Sequence, residues 1–266
     1  MHTTDNSVAA VTGATSGIGE AFARKLARRG YDLLITGRRE AKIRGVAQSI
    51  RESSGVGVEV FLADFTHKDK VRELSETLSS LSKLDILINN AGFGQARLFH
   101  EEDLQTWQDM VQVHVRATVE LTHAVLPGMI ERDHGAVINV SSLMAFTPLP
   151  FHALYGATKA FLRRFSESLR MELRDTGVRV QALCPGMTRS EIHERMGLDP
   201  EKVYNDRGLW RTMEPKEVVR QSLHALKKAR PVCVPGLNNR LVAFLSSLLP
   251  RSIIHWASEA FAKSQF

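Results

Sequence analysis

Residues 12–19 read Thr12-Gly13-Ala14-Thr15-Ser16-Gly17-Ile18-Gly19. They lie between a short apolar run at 8–11 and a segment at 18–29 in which Phe22, Leu26 and Ala27 recur at helical spacing. Glycine takes the sharp turn from strand to helix, lets an anion approach the main chain, and lets the helix pack close to the strand. The free N–H groups and positive end of the next helix then face that anion. The plainer reading is an ordinary glycine-rich turn, and a lone glycine pattern is weak. Its place at the first strand–helix junction of an alternating chain gives it weight.

That alternation runs outward from the turn. Strands are expected at 8–11, 32–36, 58–63, 84–88, 136–140, 178–183 and 231–234. Helices are expected at 18–29, 41–53, 68–81, 103–126, 155–175 and 214–228, with Pro127-Gly128 stopping the fourth and Gly177 closing the fifth in the C′ role. Short, near-continuously apolar strands separated by helices imply a parallel sheet covered on both faces. The expectation is an α/β doubly wound (Rossmann) fold in a single domain over 1–235, followed by an apolar helical extension over 236–266. No repeat, low-complexity tract or linker interrupts it.

Composition agrees with this. The chain has 266 residues, 43% of them hydrophobic and 24% charged, which is ordinary for a globular protein with a sizeable core. Cys184 and Cys233 are the only cysteines, with no CxxC or Cys/His cluster, so neither a disulfide framework nor a metal site is expected. The first seven residues are polar, without a basic n-region or long apolar h-region, and no stretch reaches the ~18 apolar residues of a membrane span. A cytoplasmic protein is expected. The net charge of +6 comes from cations scattered among acids, with local groups at 24–29, 38–44 and 227–230. A nucleic-acid face would need a denser stripe, so no nucleic-acid partner is expected.

The end of the second strand bears on the kind of dinucleotide. NAD sites place an acid there to accept from the ribose 2′-hydroxyl. This strand ends Thr36-Gly37-Arg38-Arg39, with no acid before Glu40. Guanidinium groups suit a 2′-phosphate, so NADP(H) is preferred over NAD; two solvated arginines opening a helix are the plain alternative. Asp64, just past the third strand, either accepts from the adenine amino group or caps a helix.

Tyr155 and Lys159 are four residues apart in a helical segment and share a face. A free phenol has a pKa near 10; a neighbouring ammonium and an oxidised nicotinamide ring would lower it, and in reduction the phenol would donate its proton to the forming alkoxide. Ser142, at the end of the fifth strand, can hold a carbonyl oxygen by a hydrogen bond. Tyr-x-x-x-Lys alone is common in helices. Its combination with the glycine turn and the strand-end serine is not.

Across about residues 7–235 the chain resembles the short-chain dehydrogenase/reductase family. The matching residues are Thr12-Gly-Ala-Thr-Ser-Gly-Ile-Gly19, Asp64, Asn89-Asn-Ala-Gly92, Asn139-Val-Ser-Ser142, Tyr155-Gly-Ala-Thr-Lys159 and Pro185-Gly186. The resemblance implies a seven-stranded parallel sheet with NAD(P) across its C-terminal edge. It implies Tyr155 as acid/base, Lys159 also on the nicotinamide ribose, Ser142 orienting substrate, and Asn90, with Ala91 and Gly92, beside the cofactor. The glycine turn (Gly13, Thr15, Ser16, Gly17, Ile18, Gly19) and Arg38 and Arg39 complete the cofactor residues. After Pro185-Gly186, Thr188 or Ser190 would supply a hydroxyl near the carboxamide, the family pattern aligning better with Ser190. Homo-oligomers built on the two long helices are also implied.

One position departs from the family. His114, in Val111-Gln-Val-His-Val115, stands where an asparagine usually supports a helix distortion and a water chain to the lysine. Histidine can donate and accept, so it is expected to substitute and to bring a pH dependence; a merely packed histidine is the rival.

Phe93, Phe146, Leu149, Phe151, Met187 and Met196 are expected around the site. They suggest a lipophilic ketone, a 3-oxoacyl compound or a sterol-like carbonyl as the small-molecule substrate, unless they are simply core. Residues 188–213 are polar and mixed, of a length that often forms a lid. In the extension, Leu241, Phe244, Leu245 and Leu248 share a helix face, followed by Ile253, Ile254, Trp256 and Phe261. Packing over the pocket, pairing with another subunit, and peripheral membrane contact with Arg240 and Arg251 outward compete, with burial in protein favoured. Two functional alternatives stand beside the NADP(H) reductase: a catalytically weak NADP(H)-binding sensor, supported only by His114, and an NAD-dependent alcohol dehydrogenase.

Overall fold

Every strand among the described residues joins one sheet, and every pairing in it is parallel. The structure, a computed structural model, describes residues 7–191, 196, 204 and 211–265, without the side chains of 261 and 263–265. Strands β1 (Val8–Val11), β2 (Asp32–Gly37), β3 (Val58–Leu62), β4 (Leu84–Asn89), β5 (Gly135–Val140), β6 (Val178–Leu183) and β7 (Val232–Cys233) are ordered β3-β2-β1-β4-β5-β6-β7. The order reverses between β1 and β4, where carboxyl-end loops diverge and leave a crevice for a ligand.

Helices cover both faces, as right-handed crossovers between parallel strands require. They are α1 (Gly17–Ala27), α2 (Glu40–Ser54), α3 (Lys68–Ser79), α4 (Leu104–Val111), α5 (Ala117–Glu131), α6 (Ala153–Glu172) and α7 (Pro215–Lys227), then α8 (Leu237–Leu248) and α9 (Arg251–Gln265) after the sheet. One apolar layer joins Phe22, Leu26, Ile35, Ile43 and Leu223; the other joins Leu34, Leu74, Leu87, Leu121 and Val137. β2 and β5 are buried along their whole length, which is why they read as continuous apolar runs.

Two expected helix ends are corrected. Pro127 does not stop the fourth helix: α5 passes through it to Glu131, held by Met129, whose fully buried side chain packs on Gly135. Gly177 is not the C′ residue of α6, which ends at Glu172. It is small because a Cβ there would lie 1.8 Å from the carbonyl oxygen of Asp133 in the α5–β5 turn. The long helix expected over 103–126 is also divided, by a π-helical turn at Gln112–Arg116 between α4 and α5. Among the described residues no helix is long and apolar enough to cross a membrane.

Candidate active site

The glycine turn works as a backbone cradle. Gly13 and Gly17 have φ of 67° and 57°, the left-handed region that glycine enters freely. A Cβ on Gly19 would lie 2.3 Å from the carbonyl oxygen of Gly13, so the first turn of α1 can pack there only without a side chain. The cradle is stapled from β4. The Thr12 hydroxyl donates to the Ile88 carbonyl at 3.2 Å and accepts from the Asn90 and Ala91 amides at 2.9 and 3.0 Å. Asn90 Nδ2 in turn donates to the carbonyls of Thr12 and Gly13, both at 3.0 Å. Turn glycines, open backbone and a helix N-terminus are what a dinucleotide pyrophosphate needs, so the residues present fit one.

Arg38 and Arg39 stand at the exposed end of β2. Arg38 Nη1 lies 3.4 Å from Asp64 Oδ2, and Arg39 Nη2 donates to the Thr15 hydroxyl at 3.3 Å and to Glu191 Oε2 at 2.8 Å. Asp64 does not cap α3, whose N-cap is His67; its Oδ1 accepts from the amide and hydroxyl of Thr66 in a turn. Partial burial raises its pKa, but the Thr66 hydrogen bonds and the Arg38 charge prevail and hold it below the usual carboxylate range.

Ser142, Tyr155 and Lys159 come together with this cradle around one cavity of about 760 Å³. Gly13, Thr15, Ser16, Gly17, Ile18, Arg38, Arg39, Asp64, Asn90, Ala91, Gly92, Pro185, Gly186, Thr188 and Ser190 line the same cavity; Gly19 and His114 stand behind it. Ser142 leaves β5 in extended backbone, and its hydroxyl accepts from the Met144 amide at 3.2 Å, capping a short turn at Leu143–Ala145. Lys159 is buried on α6, its Nζ donating to the Val140 carbonyl at 3.0 Å and lying 5.5 Å from the Tyr155 ring centre. The Ser141 hydroxyl donates back to the Lys159 carbonyl at 2.6 Å, so β5 and α6 are locked together beneath the site.

Burial moves both groups towards neutrality: the Lys159 amine falls to about 8, and the Tyr155 phenol rises above 10, offset only in part by the Ser142 hydroxyl. Burial therefore holds the phenol in its protonated form.

His114 sits inside the π-helical turn and is buried. The Phe93 amide donates to its Nε2 at 3.1 Å, which leaves the proton on Nδ1 to be donated to the Thr158 hydroxyl at 3.0 Å. The Thr158 hydroxyl in turn donates a hydrogen bond to the Tyr155 carbonyl at 2.8 Å. Burial, and then the Lys159 charge, drive the imidazole pKa well below 6.5. The expected pH dependence of His114 is thus corrected: the ring stays neutral and ties the loop after β4 to the helix of Tyr155.

Of the expected pocket residues, Phe93, Leu149, Met187 and Met196 line the cavity. Phe146 and Phe151 do not: the Arg163 guanidinium covers the Phe146 ring at 4.3 Å, and Phe151 takes a left-handed backbone with φ of 66° in the loop before α6. Most of the lid expected over 188–213, and the Phe261 side chain, lie outside the described residues. Ser190 packs on the glycine turn, where a Cβ on Gly17 would lie 2.9 Å from its own Cβ; Thr188 donates to the Gly186 carbonyl at 2.9 Å.

Of the three uses weighed for the extension, packing over the pocket accounts for Leu245, Ile253 and Ile254, whereas Leu241, Phe244, Leu248 and Trp256 stay exposed. Val242 and Leu245 from α8, Leu249 just after it, and Ile253, Ile254 and Ala257 from α9 form an apolar wall of the cavity. Sequence reasoning missed the side-chain ladder that runs from Thr122 through Asn89 and Asn139 to Ser166, in hydrogen bonds of 2.8–3.0 Å. A buried asparagine on each of two central strands was the available signal.

A doubly wound sheet with a backbone cradle at its switch point and a Tyr/Lys/Ser group in the same cleft defines a nucleotide-dependent oxidoreductase architecture. The chain belongs to the short-chain dehydrogenase/reductase family: the family model described as short chain dehydrogenase matches residues 7–201. An uncharacterized oxidoreductase of Staphylococcus saprophyticus is 34% identical over 236 residues, covering 88% of this chain and 97% of the relative. A short-chain dehydrogenase from Sphingobium yanoikuyae, solved in complex with NADPH, superposes with a TM-score of 0.83 at 32% identity, covering 92% of this chain and 96% of its own. A bulky-bulky ketone specific alcohol dehydrogenase from Comamonas testosteroni superposes with a TM-score of 0.78 at 29% identity, covering 94% and 97%.

Proposed function

We propose that the chain is an NADP(H)-dependent oxidoreductase that interconverts a lipophilic ketone, or a 3-oxoacyl-type carbonyl, and its alcohol. The observation that carries this reading is that Tyr155, Lys159 and Ser142 face the same cavity as the glycine cradle. A dinucleotide held by the cradle would supply or accept the hydride. Ser142 donates a hydrogen bond to the carbonyl oxygen and orients it. Tyr155, protonated at neutral pH, donates its proton to the oxygen as negative charge develops there, and takes it back in oxidation. Lys159 holds a positive charge below about pH 8 beside the phenol, where it favours that proton's departure and is placed to bind the nicotinamide ribose.

NADP(H) is supported by Arg38 and Arg39 at the end of β2, with no acid before Glu40, and by the NADPH complex of the Sphingobium neighbour. The lipophilic substrate is supported by the hairpin wall and by the bulky ketones named for the Comamonas neighbour. A homo-oligomer paired through α4–α5 and α6 belongs to the same reading; Val119, Ile130, Phe161 and Met171 stay exposed on those helices.

NADPH oxidation measured at the reduced-nicotinamide absorbance with a panel of lipophilic ketones tests it. Turnover is expected, and Tyr155→Phe should cost roughly 10²- to 10⁴-fold while keeping NADPH affinity. No turnover on a broad panel despite tight NADPH binding would overturn the enzymatic reading in favour of a sensor.

A further inference from the structure

The cation cluster at the end of β2 is larger than the two arginines, and an acid from the far side of the cleft is bound to it. Glu191, just after the Pro185-Gly186 turn, bridges two cations with its two oxygens. Oε2 accepts from Arg39 Nη2 at 2.8 Å, and Oε1 is hydrogen-bonded by Lys42 Nζ from the first turn of α2. The same Arg39 nitrogen reaches the Thr15 hydroxyl of the glycine turn at 3.3 Å, so the bridge lies against the cradle. Ser190 packs on Gly17 beside it. Arg38 points the other way, to Asp64. A carboxylate held between a guanidinium and an ammonium imitates the contacts those donors make with a phosphate.

We propose that Lys42 is a third cation of the 2′-phosphate subsite and that Glu191 is its internal counter-anion, which a 2′-phosphate displaces from Arg39 and Lys42. The proposal rests on the NADP(H) reading and adds two residues that set cofactor selectivity. A 2′-phosphate brings close to two negative charges to the donors that Glu191 holds with one, so it outcompetes the carboxylate. A dinucleotide with a free 2′-hydroxyl offers no such replacement and leaves Glu191 in place. Glu191 thereby lowers NADP(H) affinity while holding the segment after β6 on the cradle, and Lys42 raises that affinity. The side chains of Arg39, Lys42 and Glu191 are 43, 38 and 29% exposed, so water and salt weaken each contact and the effects are modest.

Calorimetric dissociation constants of NADPH and NADH, for the full chain and for Glu191→Gln and Lys42→Ala, test the assignment without turnover. Glu191→Gln, which keeps the shape and removes the charge, should tighten NADPH by about fivefold and leave NADH within about twofold. Lys42→Ala should weaken NADPH by about tenfold, again without moving NADH, and both effects should shrink in high salt. An unchanged NADPH/NADH ratio in both variants overturns the proposal, as does an equal change for the two cofactors, which marks a merely structural bridge. A wild-type chain that binds NADH as tightly as NADPH overturns the cofactor reading itself, and this proposal with it.

Discussion

On the β1–β4 side of the cavity the contacting surface is main chain. Gly13, Gly17 and Gly19 strip it of side chains, and Thr12 and Asn90 fasten it from the neighbouring strand with five hydrogen bonds of 2.9–3.2 Å. On another side, α8, α9 and the link between them present side chains: Val242, Leu245, Leu249, Ile253 and Ile254. That wall is tied to the body by side chains: the Thr147–Ser246 hydroxyl pair at 2.7 Å, Arg240 donating to the Val234 carbonyl at 2.9 Å and to Gln221 at 3.2 Å, and Asn239, which packs so close to Gly186 that a Cβ there would lie 2.5 Å from its Oδ1. The first wall suits a ligand whose shape never changes, because its polar groups are fixed before binding. The second is a set of apolar side chains whose size is the adjustable quantity. Specificity for cofactor and for substrate should therefore fail differently.

The largest difference is expected at Gly19. A methyl group there meets the Gly13 carbonyl oxygen, which is backbone, at 2.3 Å, and Asn90 Nδ2, a side-chain amide pinned by its bonds to Thr12 and Gly13, at 2.5 Å. Overpacking of this kind costs about 1–3 kcal/mol, borne by the cradle itself. Gly19→Ala should lower NADPH affinity roughly 10- to 100-fold in a fluorescence titration, for every substrate alike. Unchanged affinity would show that the first wall is as adaptable as the second.

A smaller and more selective effect is expected at the hairpin. Ile254 is buried and Leu245 is 40% exposed, and both line the cavity. Each removed methylene forfeits about 0.8 kcal/mol of apolar contact at full burial. The pair Leu245→Ala and Ile254→Ala should raise KM for bulky ketones about tenfold, keep NADPH affinity, and leave small ketones nearly unaffected. Loss of NADPH affinity instead would mean that the two walls are not independent.

These two walls also mark what could be read from the chain itself. Gly13, Gly17 and Gly19 announce a local backbone demand, and Tyr155 and Lys159 share a helix face four residues apart, so neither needs distant partners to be recognised. The sheet is legible for a like reason, since strands buried on both faces are apolar throughout. The Lys42–Glu191 bridge joins residues 149 apart, and the hairpin acquires its inner face only by folding back on Gly186 and Thr147. Pro127 shows the same limit: its helix-breaking tendency is local, and the burial of Met129 that overrides it is not. Phe146 and Phe151 looked like pocket residues because they are aromatic and near Ser142, but Arg163 and a left-handed backbone place them elsewhere.

The smallest effect separates the groups of the site by pH. Around the reacting end of the cavity, the structure puts Tyr155 above 10, Lys159 at about 8 and His114 well below 6.5. Below about pH 8 the lysine is an ammonium; as pH rises through that value it becomes neutral and stops assisting proton transfer from the phenol, which is itself still protonated. The histidine is neutral on both sides of neutrality, since burial disfavours its charged form and its two ring nitrogens already match one donor and one acceptor. The rate of carbonyl reduction should therefore be level from about pH 6 to 7.5 and halve near pH 8. The limb should shift in Lys159→Arg, which cannot deprotonate in that range. His114→Asn, which keeps a donor and an acceptor, should leave the profile unchanged and the rate within about threefold. A limb near pH 6.5 that disappears in His114→Asn would restore the histidine as a titrating member of the site and break the assignment of a neutral, positioning ring.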